Sequence, residues 1–211
     1  MIETGSKELD ELIEGYKEEI TLIYGPAGTG KTTIAIMAAL KQAENNKKII
    51  YLDTENGFNI ERAKQLAQGK ESLLQNILIL KTRSFKDQIR KFELLEKIIT
   101  KKKVALVVVD TIGHHYRLAL IKNPKATNDI MAKQLRQLRL ITKEEEIPVI
   151  VTNQVYTDPK TNETKAVGGT MIRDFSKKII ELSLEPRCIR LIKPDKKEMR
   201  FRIVQDGIQK I

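Results

Sequence analysis

Eight consecutive residues carry the clearest chemistry in this chain. Gly25-Pro26-Ala27-Gly28-Thr29-Gly30-Lys31-Thr32 fits G-x-x-x-x-G-K-[ST], a loop that wraps phosphate. Its glycines let successive backbone N–H groups turn toward one anion. The start of the following helix adds partial positive charge. Lys31 supplies a mobile cation for the β- and γ-phosphates of ATP, and the Thr32 hydroxyl is a ligand for Mg²⁺. Thr33 belongs to the same helix start and joins the nucleotide-binding set.

Three polar groups further along complete the chemistry. Val104 to Val109 is a continuous apolar run that ends in Asp110. A carboxylate at the tip of such a strand, well downstream of a phosphate loop, is placed to hold Mg²⁺. Lys48 to Leu52 ends in Asp53-Thr54-Glu55, at the carboxyl end of a strand, where open α/β sheets bind ligands. Glu55 is the candidate to polarise an attacking water, with Asp53 as its rival. Ile147 to Thr152 delivers Asn153-Gln154, a polar pair able to sense a γ-phosphate.

These groups need a parallel sheet to hold them. Ile20–Tyr24, Lys48–Leu52, Asn76–Leu80, Val104–Asp110 and Ile147–Thr152 read as strands, and unalternated apolar runs indicate strands buried on both faces. Helices are expected over about 6–14, 31–45, 58–68, 84–100 and 127–143, with Ser6 and Ser84 as N-caps. Residues 111–126 read as a loop. The segments 177–184, 187–193 and 199–204 alternate and read as antiparallel strands. The expected fold class is α/β, a P-loop NTPase with a mainly parallel central sheet flanked by helices and antiparallel strands at the C-terminal end. One domain over residues 1–211 accommodates this.

Composition narrows the function classes. No apolar run approaches the length of a membrane span, and the acidic N-terminus lacks a signal-peptide core. Cys188 is the one cysteine, so no internal disulfide forms. This fits a cytoplasmic protein. The net charge of +10 is uneven. Residues 1–20 carry seven acids against two lysines, residues 81–103 nine basic groups against three acids, and residues 117–143 seven against one. Such stripes suggest a polyanion partner, although Lys- and Glu-rich surfaces also accompany thermophily. Within 111–126, Tyr116 and Arg117 could meet a nucleic-acid strand by stacking and phosphate contact. Lys122 and Lys125 add charge there, and Lys160 and Lys165 do so in the polar segment 156–167.

Taken together, these residues resemble the RecA-type recombinase ATPases, and most closely their archaeal RadB branch. The stretches that carry the resemblance are Thr-Gly-Ser-Lys-Glu-Leu-Asp at 4–10, the phosphate loop, and Tyr-Leu-Asp-Thr-Glu-Asn at 51–56. Val-Val-Val-Asp at 107–110, Thr-Asn-Gln-Val at 152–155 and Ala-Val-Gly-Gly-Thr at 166–170 complete the set. The resemblance implies that Glu55 matches the catalytic glutamate, Asp110 the Mg²⁺-water aspartate, and Gln154 the glutamine linking γ-phosphate to a second DNA-binding loop at about 156–167. It implies a first DNA-binding loop at about 113–126 and an arginine stacking on adenine at Arg62. It further implies weak ATPase activity, non-specific binding of single-stranded or branched DNA, and links to a RadA recombinase and a Holliday-junction resolvase. The ATPase core begins at residue 1, so neither RadA's N-terminal helical domain nor its polymerisation phenylalanine is expected. The expectation is against filaments and strand exchange and leaves a homodimer open. The rival readings are a KaiC-like signalling ATPase that ignores DNA and a nucleotide-gated scaffold without catalysis.

Overall fold

Strand and helix alternate through most of the chain. In a computed structural model that describes residues 1–100, 103–157 and 164–211, the strands are β1 (Ile20–Gly25), β2 (Lys48–Asp53), β3 (Ile77–Lys81), β4 (Val104–Asp110) and β5 (Val149–Thr157). A short β6 (Thr164–Ala166) follows, then β7 (Lys178–Leu184), β8 (Arg187–Lys193), β9 (Lys197–Val204) and β10 (Gly207–Lys210). They form one sheet in the order β10-β9-β8-β7-β1-β5-β4-β2-β3, with β6 attached to β5. The strands from β7 to β3 in that order are parallel. From β7 outward to β10 each strand opposes its neighbour. The last segments are therefore antiparallel to one another as expected, but β7 itself runs parallel to β1. Strand direction is set by the neighbour the segment finds, and alternation within the segment does not encode it.

The helices are α1 (Lys7–Ile13), α2 (Lys31–Ala43), α3 (Ile60–Ala67), α4 (Phe85–Ile99), α5 (His114–Leu120), α6 (Pro124–Glu144) and α7 (Gly169–Phe175). Each face of the sheet has its own core. On one, Leu9, Ile34, Met37, Ala63 and Leu66 from α1 to α3 pack on Ile23, Tyr51 and Val108. On the other, Phe92, Leu95, Met131, Leu135 and Leu138 from α4 and α6 pack on Leu22, Val107 and Val151. Burial on both sides accounts for the unbroken apolar runs of the central strands. Cys188 is buried in β8, and burial pushes its thiol pKa up. Among the described residues, no helix is long and apolar enough to cross a membrane.

The N-caps at Ser6 and Ser84 form as expected, accepting from Leu9 N at 3.3 Å and Asp87 N at 3.2 Å. The segment 111–126 differs from the expectation. It holds α5 and the start of α6, which begins at Pro124 behind an Asn123 cap accepting from Ala126 N at 3.2 Å. Proline in the first turn costs no hydrogen bond, so Asn-Pro starts the helix three residues earlier than Thr127. The helix α5 exists because His115 and Tyr116 are buried along one side of it.

A buried lysine fastens α1 to this framework. Lys178, 3% exposed, donates from Nζ to Ile13 O at 2.7 Å and Gly15 O at 2.5 Å. Burial lowers its pKa, while Glu19 at 3.9 Å opposes that shift. Lys178→Met would leave two buried carbonyls unpaired. We expect it to lower stability by about 2–4 kcal/mol in a chemical-denaturation experiment.

Candidate nucleotide site

The carboxyl ends of β1, β2, β4 and β5 meet at one rim of the sheet, and the phosphate loop lies across it. Ala27, Gly28, Gly30, Lys31, Thr32, Thr33, Glu55, Thr111, Gln154 and Ile203 line an open groove of about 270 Å³. The loop needs Gly30 for two reasons. Its φ of 105° is left-handed, and an added Cβ would meet Ile203 Cδ1 at 3.0 Å. The Thr29 hydroxyl donates to Pro26 O at 2.9 Å and braces the loop from within. Lys31 is buried and donates from Nζ to Gly25 O at 2.9 Å and Pro26 O at 2.7 Å. Burial lowers its pKa, with Asp110 and Glu55 acting in the opposite direction.

Asp110, 2% exposed, lies at the floor. Three hydroxyls donate to it. Thr32 Oγ1 reaches Oδ2 at 2.8 Å, Tyr51 OH reaches Oδ2 at 2.6 Å, and Thr152 Oγ1 binds Oδ1. Burial pushes the Asp110 carboxyl above its ordinary value, and the three hydroxyls work against that rise. An oxygen-only pair, the Asp110 carboxylate and the Thr32 hydroxyl beside a helix start, fits a hard divalent cation such as Mg²⁺. Among the described residues, no cluster of three or more His, Cys, Asp or Glu exists to suit a different metal.

The geometry separates the two acids at the end of β2. Asp53 is fully buried and accepts from Gly57 N at 3.0 Å and Phe58 N at 3.2 Å, so it shapes its own turn. Glu55 lines the groove. Gln154 Nε2 donates to both its oxygens, at 3.0 and 2.8 Å, and Thr111 Oγ1 donates to Oε1 at 2.6 Å. His114 Nδ1 stands 3.6 Å from the same oxygen. Thr111, His114 and Tyr51 escaped the sequence reading. Thr111 and His114 lay in a segment read as loop, and Tyr51 reads as an ordinary core residue.

Other expected site residues fall differently. Arg62 is tied to the turn between β9 and β10, donating to Val204 O at 2.7 Å and Gln205 O at 2.8 Å. Tyr116 does not offer a face for stacking. It is 4% exposed, and its hydroxyl donates to Asn128 Oδ1 at 2.6 Å. Burial of an apolar ring in the core outweighs display on the surface. Arg117, Lys122 and Lys125 are exposed, beside Leu118 and the 81%-exposed Ile121. Lys165 lies within β6, paired with Tyr156 of β5. Lys160, and the centre of the expected second DNA-binding loop at about 156–167, lie outside the described residues.

Comparison with known proteins identifies this arrangement. The Rad51 family model matches residues 1–211. The chain belongs to the Rad51 family. It is 38% identical to the DNA repair and recombination protein RadB of Methanococcus maripaludis strain C5, covering 95% of this chain and 96% of that one. Proteins of the same description from Thermococcus sibiricus and Methanococcoides burtonii are 35% and 34% identical, over 100% and 96% of this chain. They span 96% and 95% of those relatives. This Rad51-family chain thus carries a RecA-like domain whose strand tips gather the motif residues in one groove.

Behind Gln154, Asn153 is buried and donates to Val167 O at 2.7 Å, and Gln154 O accepts from Val167 N at 3.1 Å. Gly113 closes over this junction. A Cβ there would meet Asn153 Oδ1 at 2.5 Å and Val167 Cγ1 at 2.8 Å, although its φ of −87° suits any residue. Gly113→Ala is therefore a purely steric change. It should lower stability by about 1–3 kcal/mol, visible as a reduced melting temperature, and displace Gln154 from Glu55.

Proposed function

We propose that this protein binds ATP with Mg²⁺, hydrolyses it slowly, binds DNA without sequence preference, and assists recombinational repair. The observation that carries the reading is the convergence of the phosphate loop, Asp110, Glu55 and Gln154 on one groove. Lys31 and the loop amides would bind the triphosphate, and Thr32 and Asp110 would hold Mg²⁺. The bound ion supplies positive charge against the phosphate oxygens. Glu55 would orient water for in-line attack. Gln154 and Thr111 hold its carboxylate in place, so orientation is set before substrate arrives. Gln154 joins Glu55 to the strand that leads into residues 156–167, so a change in one should be felt by the other.

DNA contact is assigned to the surface around α5 and the start of α6. Arg117, Lys122 and Lys125 have no ion-pair partner there among the described residues. On the opposite side Lys17, Lys41, Lys64 and Lys70 each pair with a glutamate. Unneutralised cations attract a polyanion, and exposed Leu118 and Ile121 would meet bases. A repair role accords with the names of the RadB relatives. Assistance to a RadA recombinase or a Holliday-junction resolvase rests on the resemblance alone. One domain over residues 1–211 remains part of this proposal.

Three measurements test it. Lys31→Ala should abolish ATP binding by calorimetry, and unchanged affinity would defeat the site. Glu55→Gln should retain ATP and slow single-turnover phosphate release by about 10²–10³-fold, in the range of removing one positioned catalytic group. DNA affinity should fall steeply with salt, and the triple variant Arg117→Ala, Lys122→Ala, Lys125→Ala should reduce the log–log slope by about 2–3. Indifference to oligonucleotides at every salt concentration would favour a signalling ATPase.

A further inference from the structure

Two cations hold the carbonyls of the phosphate loop, and only one of them belongs to the motif. Lys31 takes those of Gly25 and Pro26. Arg187, the first residue of β8, takes the next pair. Its Nη1 donates to Gly28 O at 3.0 Å and Thr29 O at 3.1 Å. The guanidinium also lies over the ring of Phe201, 5.9 Å from its centroid, and Phe201 is fully buried.

Chain topology puts Arg187 there. Because β7 is parallel to β1, with Tyr24 opposite Glu181, its far end lies at the same rim as the loop. β7 then turns back through Glu185-Pro186, with Leu184 opposite Arg187 and Ser183 Oγ donating to Pro186 O at 2.8 Å. This tight hairpin holds the arginine backbone beside the loop.

The consequence follows from the planar trans peptide. Where a carbonyl points at Arg187, the N–H of the same peptide points away from it. The carbonyls of Gly28 and Thr29 belong to the peptides whose N–H groups are those of Thr29 and Gly30. Gly28, Gly30 and Lys31 line the groove, whereas Arg187 does not. The arginine therefore stands outside the groove, and of these two N–H groups that of Gly30 belongs to a groove-lining residue, while Thr29 is fully buried within the loop. Hydrogen bonds accepted by a carbonyl polarise the peptide and strengthen its N–H as a donor. Two bonds from the one Nη1 group also fix the orientation of both peptides.

We propose that Arg187 is a positioning residue for phosphate binding. It fixes the two loop peptides whose carbonyls it holds and polarises the groove-lining Gly30 amide without touching the nucleotide. This rests on the nucleotide-binding reading above and adds a group outside the motif. The loop amides cradle the α- and β-phosphates, so Arg187 should act on ATP and ADP alike.

The test compares Arg187→Ala, Arg187→Met and Arg187→Lys in the full chain by titration with ATP and with ADP, alongside melting without nucleotide. Methionine keeps packing on Phe201 and removes the donors; lysine restores charge and one donor nitrogen without the planar group that lies over Phe201. The Ala and Met variants should bind both nucleotides about 5–20-fold more weakly, as for loss of charge-assisted hydrogen bonds. Lysine should recover part of that loss. All three should melt within about 2 °C of the parent, and kcat should hold while KM rises, the signature of lost uniform binding. Parent-like affinity in Arg187→Met would overturn the proposal, as would weakening for ATP with none for ADP, which marks direct γ-phosphate contact. Affinity and melting temperature falling together in all three variants would also overturn it, by reducing Arg187 to a structural role. A parent chain that binds neither nucleotide would sink the nucleotide reading and this proposal together; the other outcomes bear on Arg187 alone.

Discussion

A carboxylate sealed inside the protein is the constraint around which the site is built. Moving an ion out of water costs several kcal/mol unless hydrogen bonds replace the lost solvent. Asp110 meets that demand with hydroxyls from three elements: Tyr51 on β2, Thr152 on β5 and Thr32 on α2. Each bond to a charged group contributes about 1.5–3 kcal/mol, so the three hydroxyls oppose the rise that burial imposes on the Asp110 carboxyl. The same bonds join the strands flanking β4 to it, and Thr32 ties the phosphate-loop helix to them. Stability and the proposed hold on Mg²⁺ thus rest on one cluster.

A second layer rests on this floor. Glu55 is clamped by Gln154 and Thr111, and Thr111 directly follows Asp110. Glu55 is therefore bonded to the residue that follows Asp110 and to one side chain from β5. Above them, the outward carbonyls of the loop are taken by Lys31 and Arg187. The side chains of Lys31, Glu55, Asp110 and Gln154 each have a fixed hydrogen-bond partner at the rim, as preorganised electrostatics requires.

Much of this was legible in the residue order because it is local. The phosphate loop, the unalternated runs of β1, β2 and β4, the Ser84 cap and the terminal Asp110 are all signals contained within a few residues. The choice of Glu55 over Asp53 was not local, since only the fold shows Asp53 spending both oxygens on its own turn. The helix α5 was missed because its seven residues have no side-chain cap and too few turns to show a period. With it went the orientation of Tyr116, which a loop would have left exposed. Gly168-Gly169 forms the start of α7, with Gly168 in the left-handed cap position at φ 80°. The parallel direction of β7 and the reach of Arg187 depend on partners more than 150 residues away, which no window of sequence can contain.

The antiparallel strands at the sheet edge affect how the protein comes into being. Ile203, Arg187 and the carbonyls that hold Arg62 all come from the last quarter of the chain, while the loop they flank is made in its first fifth. A ribosome would finish the motif long before it finished the walls around it. During that interval the nascent protein carries a phosphate loop without the Arg187 and Ile203 contacts that flank it in the finished fold.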